Sequence, residues 1–202
     1  MAFPTTNSAQ ELPAVNEILQ SCGQAPVTTL DQTNPDVAIA YSTLLQVSQE
    51  VQAEGWSYNI EYDYEFTPDT NKEILIPNNV LQLDPSTEYG EMDVVRRNGK
   101  LYDKVAHTYE FEDKIKCDVV WLFDWVDLPI PIQDYIVART ATIVSSRIVG
   151  DTAQYQMLGQ KEAYNRAMAI EYECNQGDYT FFGHPRGHNN YISYKPYHAL
   201  YR

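Results

Sequence analysis

The stretch NPDVAIAYSTLLQVSQEVQAEGWSYNIEYDYEF, Asn34–Phe66, contains the change of hydrophobic period on which the fold turns. Asn34 is a favourable N-cap, and Pro35 takes the first helical position, where its missing N–H costs nothing. Val37, Tyr41, Leu44, Leu45, Ser48 and Val51 recur at three- and four-residue steps and predict one packing face of a helix. Gly55 supplies the left-handed conformation that closes it. From Trp56 the period becomes two: Trp56, Tyr58, Ile60, Tyr62, Tyr64 and Phe66 alternate with Ser57, Asn59, Glu61, Asp63 and Glu65. The alternation predicts a strand with an aromatic face turned to the core and an acidic face, Glu61, Asp63 and Glu65, turned to water.

Upstream, Ser8 and Glu11 have capping-box spacing ahead of a helix over Ala9–Cys22 that Gly23 ends. Pro13 complicates that start and leaves open one a few residues later. Downstream, TPDTNK (Thr67–Lys72) reads as a turn, and the short apolar runs Ile74–Ile76 and Val80–Leu83 read as edge strands beside Pro77 and Pro85. Asp93–Asp103 carries Asn98-Gly99, the signature of a type I′ hairpin joining Val94-Val95 to Leu101-Tyr102. Thr108–Phe111 and Ile115–Trp125 supply further strand material. Pro129 and Pro131 open a third helix, Ile132–Val149; its β-branched run TATIVSSRIV leaves strand open, while length and the Gly150 stop favour helix. Asp151 and Gln154 cap a fourth helix reaching Asn175 and ended by Gly177, with Met157, Tyr164, Met168 and Tyr172 along one side.

The expected fold class is α+β. The N- and C-terminal helix pairs, residues 1–55 and 129–177, make an antiparallel helical bundle, and residues 56–128 form an inserted antiparallel β domain. Residues 178–202 differ in kind. Tyr179, Phe181, Phe182, Tyr191, Tyr194, Tyr197 and Tyr201 are spaced by glycine, proline, asparagine and histidine, a composition that predicts a segment ordering on a partner.

At 202 residues, with 44% hydrophobic and 12% aromatic content, the chain has material for a real core. A net charge of −14 argues against a generic nucleic-acid-binding surface and is compatible with DNA that passes without sticking. No apolar run reaches membrane-spanning length, and residues 1–10 lack the pattern of a signal peptide. Cys22, Cys117 and Cys174 are scattered and odd in number, which predicts reduced thiols and synthesis in a cytoplasm.

Candidate chemistry is sparse. His184 and His188 have helical spacing, but Pro185 and Gly187 interrupt it, and His198 is the only further histidine nearby. Asp124 and Asp127 flank Trp125, and His107 has no Ser or Cys partner near it in sequence. Arg96 and Arg97 beside the hairpin turn suit either solvent or a carboxylate on a neighbouring subunit. G-x-S-x-G, H-E-x-x-H, P-loop and G-x-G-x-x-G signatures are missing. The expectation is a protein without enzymatic activity, cofactor or metal.

The order of motifs is more specific than any one of them. ELPAVNEIL (Glu11–Leu19), GQAPVTTL (Gly23–Leu30), the helix ending EGWSYNIEYDYEF, NGKLYDK (Asn98–Lys104), LPIPIQDYIVARTA (Leu128–Ala141) and YECNQGDYTFF (Tyr172–Phe182) together resemble the tail tubular protein A family of short-tailed bacteriophages. The resemblance covers about Ser8–Phe182 and implies a virion protein: a head-to-tail adaptor, or gatekeeper, that forms a ring of about twelve copies. It implies as partners the portal above, the tail nozzle (tail tubular protein B) and tail fibre or spike below, and DNA passing through the ejection channel, with no membrane. The aromatic tail is then placed to dock on the portal and the β domain to face the nozzle. Rival readings are a tail-associated glycan hydrolase using Asp124, Asp127 or the strand carboxylates, and a glycan-binding module using the Trp56–Phe66 aromatics.

Overall fold

The computed structural model describes residues 8–86, 89 and 92–177. The chain is α+β. Helices α1 (Ser8–Ser21) and α2 (Pro35–Gln52) precede strands β1 (Ile60–Phe66), β2 (Val80–Pro85), β3 (Val94–Arg97), β4 (Lys100–Asp103) and β5 (Ile115–Trp121). A 3-10 turn at Trp125–Asp127 leads into helices α3 (Ile130–Ile148) and α4 (Thr152–Gly177). Contacts divide the chain into two compact units: residues up to Glu54 with Phe123–Glu173, and Gly55–Leu122 with the end of α4 from Cys174.

In the first unit α1, α2 and α3 pack against one another. Asn34 caps α2, its Oδ1 accepting the Asp36 N–H at 3.0 Å. The face read from the sequence is buried at Val37, Tyr41, Leu44, Ser48 and Val51, with Leu45 at its half-buried margin. These meet Val15, Ile18 and Leu19 of α1 and Ile132, Ile136 and Val144 of α3 in an apolar core. The β-branched run of α3 is helical. Thr140 and Thr142 are buried there, and their hydroxyls donate to the carbonyls of Ile136 (2.7 Å) and Ala138 (3.0 Å), so neither is left without a partner. Gly150, at φ +71°, ends α3 by donating to Ser145 O at 3.1 Å. α1 begins at Ser8 and runs through Pro13, and Glu11 is buried, 3% exposed, in the packed side of the helix; the side chain of Ser8, on which the expected capping box depends, lies outside what the structure describes.

In the second unit β5 is the centre of an antiparallel sheet ordered β1-β5-β2, and β3 and β4 form a separate hairpin. Ile115, Cys117, Val119 and Trp121 of β5 are buried and alternate with half-buried neighbours. The hairpin turns at Asn98 (φ +55°) and Gly99 (φ +74°), as the Asn-Gly pair requires, with Arg97 opposite Lys100.

Three expectations are corrected here. The strand begins at Ile60 and not Trp56, because Asn59 folds the preceding residues into a turn: its Oδ1 accepts the Trp56 N–H at 2.8 Å and its Nδ2 donates to Trp121 O at 2.9 Å. The alternation in β1 is broken by a bulge between Glu61 and Tyr64, where Asp63 takes φ +56°. Trp56 and Phe66 are therefore buried while Tyr62 and Tyr64 are 54% and 39% exposed, and the aromatics do not share one core face. Finally, β5 stops at Trp121. The Phe123 N–H is taken by Gln52 Oε1 at 2.8 Å and its carbonyl accepts from Gln52 Nε2 at 3.2 Å, bonds that compete with a continued ladder. Ile74–Ile76 and Thr108–Phe111 contribute isolated bridges, Leu75 to Lys100, Glu110 to Glu73 and Thr108 to Asp103.

Candidate assembly surfaces

The residues singled out in the sequence are dispersed over separate local partners. Glu61 Oε2 accepts from the Trp121 indole at 3.0 Å, and Glu65 pairs with Lys114 at 3.2 Å. Asp63 accepts from the Ser86 hydroxyl, and its own N–H donates to Asp118 Oδ1 at 3.0 Å. The bulge thus replaces the expected continuous acidic face with three separately partnered carboxylates. Arg96 donates to Asn78 Oδ1, and the Arg97 guanidinium lies 4.1 Å from the centre of the Tyr102 ring. Both arginines are exposed and engaged within their own chain.

Asp124 stands at the N-cap position of the 3-10 turn without a side-chain capping bond, and Asp127 is exposed at its end. His107 is exposed, with Nδ1 3.5 Å from the Tyr102 hydroxyl. Among the described residues no group of three or more His, Cys, Asp or Glu could hold a metal ion, and no helix is long and apolar enough to cross a membrane. The aromatic segment of Tyr179, Phe181, Phe182, Tyr191, Tyr194, Tyr197 and Tyr201 lies outside the described residues, as do His184 and His188.

Two thiols are chemically quiet. Burial raises that of Cys22, and burial followed by the charges of Asp118 and Asp84 pushes that of Cys117 up to about 12. Cys174 is exposed on α4.

The least buried of the helices is α4. Asp151 starts it well, its carboxylate accepting the N–H groups of Ala153 (3.1 Å) and Gln154 (3.4 Å). Yet of its side chains only Ala169 is buried. Polar contacts hold it to the rest of its unit. Gln154 donates to Ser21 O, Lys161 pairs with Glu17 at 2.6 Å, and Asn165 donates to Asp134 O at 3.1 Å. Arg166 reaches the Tyr135 hydroxyl at 2.5 Å and Glu54 at 3.2 Å. These bonds turn both cations of α4 inward.

From Met157 to Met168 its outer side carries no charge, and exposed Glu171 follows at the next turn. Met157, Tyr164 and Met168 are 72%, 65% and 41% exposed and lie on one side by helical spacing, with exposed Gln160, Ala163 and Ala167 beside them. The sequence period showed a stripe of Met157, Tyr164, Met168 and Tyr172; among the described residues the first three stay exposed and Tyr172 is half-buried. The outer side of α2 is similar. Ile39, Ser42 and Gln46 are exposed, and the helix carries charge only at Asp36 and Glu50, near its ends.

The α+β fold thus leaves these helix faces exposed among the described residues. The class comes from comparison: a family model described as tail tubular protein matches residues 12–179, so the chain belongs to that family of phage tail proteins. Among curated relatives it is similar to tail tubular protein A of Klebsiella phage KP34, 26% identical over 168 residues, covering 83% of this chain and 89% of that protein. The family places the chain in the virion tail, assembling with other virion proteins.

Proposed function

We propose that the protein is the head-to-tail adaptor of its virion, a ring of about twelve copies that joins the portal to the tail nozzle and fibres and forms part of the DNA ejection channel. The observation that carries this reading is the family match over residues 12–179, nearly the whole chain. Net charge supports it. At −14 per chain, a ring of twelve carries on the order of −170, and acidic residues facing a bore repel DNA and let it slide. The aromatic segment 178–202 is assigned to the portal side.

Sedimentation velocity of the purified protein, alone and with the portal ring of its own phage, tests the reading. Co-sedimentation with the portal is expected; a chain that stays small and ignores the portal removes it. Deleting residues 178–202 is expected to abolish portal binding while the melting transition of the subunit is retained. Undiminished binding by the shortened chain would overturn the assignment of that segment.

A further inference from the structure

Resting on the adaptor reading, we infer that the outer faces of α2 and α4 are the two halves of one interface between copies of this chain, α4 of one subunit lying on α2 of the next.

The first reason is that α4 is not explained by its own unit. A helix in a folded protein draws most of its stability from burying an apolar side, and a helix held alone is marginal in water. This one has 26 residues, buries the side chain of Ala169 alone, and leaves Met157, Tyr164 and Met168 in solvent. Its polar ties through Gln154, Lys161, Asn165 and Arg166 orient it without covering that stripe.

The second reason is electrostatic and selects the occupant. Two copies of a chain carrying −14 repel, so contact between them is favoured where each presents a surface without charge. The outer face of α4 from Met157 to Met168 offers methionine, tyrosine, alanine and glutamine, with Lys161 drawn aside to Glu17. The outer face of α2 from Ile39 to Gln46 offers isoleucine, serine and glutamine. Depletion of charge with enrichment in Tyr and Met is the composition of an interface centre.

The third reason is shape and symmetry. At about 1.5 Å per residue α2 is about 27 Å long and α4 about 39 Å, so α4 can lie along the whole of α2. Ala163 and Ala167 leave space beside Tyr164 and Met168 for a ridge bearing Ile39 and Gln46. Because the two faces belong to different helices, the contact is heterologous and a growing chain of subunits keeps one free half at each end, as a closing ring needs.

The test uses full-length protein in two face variants, Tyr164→Glu with Met168→Glu on α4, and Ile39→Glu with Gln46→Glu on α2. All four positions are exposed, and unchanged melting verifies folding. Sedimentation velocity over a concentration series is expected to show wild-type association, at least a tenfold weakening in either variant, and a species of two chains when the variants are mixed, since each then supplies one intact half. Three outcomes overturn the interface: a wild type that remains a single chain throughout, variants that associate like wild type, or a mixture that never exceeds single chains. A chain lacking residues 178–202 is expected to associate as wild type does; loss of association there, with the face variants unaffected, gives the contact to that segment and overturns the proposal. Portal binding is read separately. A wild type that joins the portal without self-association sinks the α2–α4 contact and leaves the adaptor reading standing.

Discussion

Helices α3 and α4 follow one another through a tight connection at Gly150, yet they are held by different physics. α3 buries Ile132, Tyr135, Ile136, Ala141 and Val144 against α1 and α2. α4 buries one alanine and is tied down by an amide, a lysine, an asparagine and an arginine. Apolar packing is strong and cooperative; partly exposed ion pairs contribute little each. Within one unit the chain thus combines a fixed three-helix core with a helix oriented but not covered. Such a helix suits an element that gains its main packing from another molecule.

That contrast can be broken at several points. Ile136→Ala opens a cavity at a site with no solvent exposure and is expected to cost about 2–5 kcal/mol, seen as a lower urea midpoint. Met157→Ala on α4 is expected to stay within about 0.5 kcal/mol in the unassembled chain. Equal losses at the two positions would erase the distinction.

Gln52→Ala tests whether the end of the core depends on a single amide. Gln52 is fully buried, and its side chain serves Phe123 at both N–H and carbonyl and donates to Ser48 Oγ at 3.1 Å. A loss of about 1–3 kcal/mol is expected by the same denaturation. Arg166→Ala releases α4 from Tyr135 and Glu54 and is expected to cost about 1 kcal/mol. Its sharper signature is faster amide exchange in α4 with exchange in α1–α3 unchanged; a uniform change across all four helices would show α4 to be part of the core after all.

Glu11→Gln is the subtlest. Burial raises the Glu11 carboxyl above its ordinary 4.5, a hydrogen bond from Tyr41 partly offsets this, and the charge of Asp124 adds to it. Between 4.5 and the raised folded value the folded chain keeps a proton that the unfolded chain has lost, so stability falls as pH rises through that window. Gln removes this penalty while keeping an acceptor for Tyr41. The variant is expected to be more stable than wild type at neutral pH, with the gap closing below 4.5. Parallel pH profiles for the two proteins would refute that account.

Much of the fold was legible where local chemistry decides it. Asn34-Pro35, Asn98-Gly99 and Gly150-Asp151 set their helix and turn boundaries through contacts within a few residues. The bulge in β1 was not legible. Asp63 is held by Asp118 and Ser86, 55 and 23 residues away in the chain, and no alternation pattern reports such partners. Gln52 and Asn59 were missed for the same reason: each looks like a polar residue at an element end until the carbonyl it serves is known. For the candidate surfaces, periodicity revealed the stripe on α4, but a period cannot tell whether a stripe meets its own chain or another. The family was legible because several motifs stand in one order along nearly the whole chain, even though none of them is diagnostic alone.

The exposed Cys174 gives the protein a reporter of its own. It follows Ala167 by seven residues, two turns on along the outer side of α4, while Cys22 and Cys117 are buried and their thiols held protonated. A maleimide dye added to the native protein should therefore mark one position per chain, beside the stripe assigned to the neighbouring subunit. Labelling that slows as subunits assemble, and recovers as they part, would let the coming together of a virus tail be followed in real time without altering a single residue.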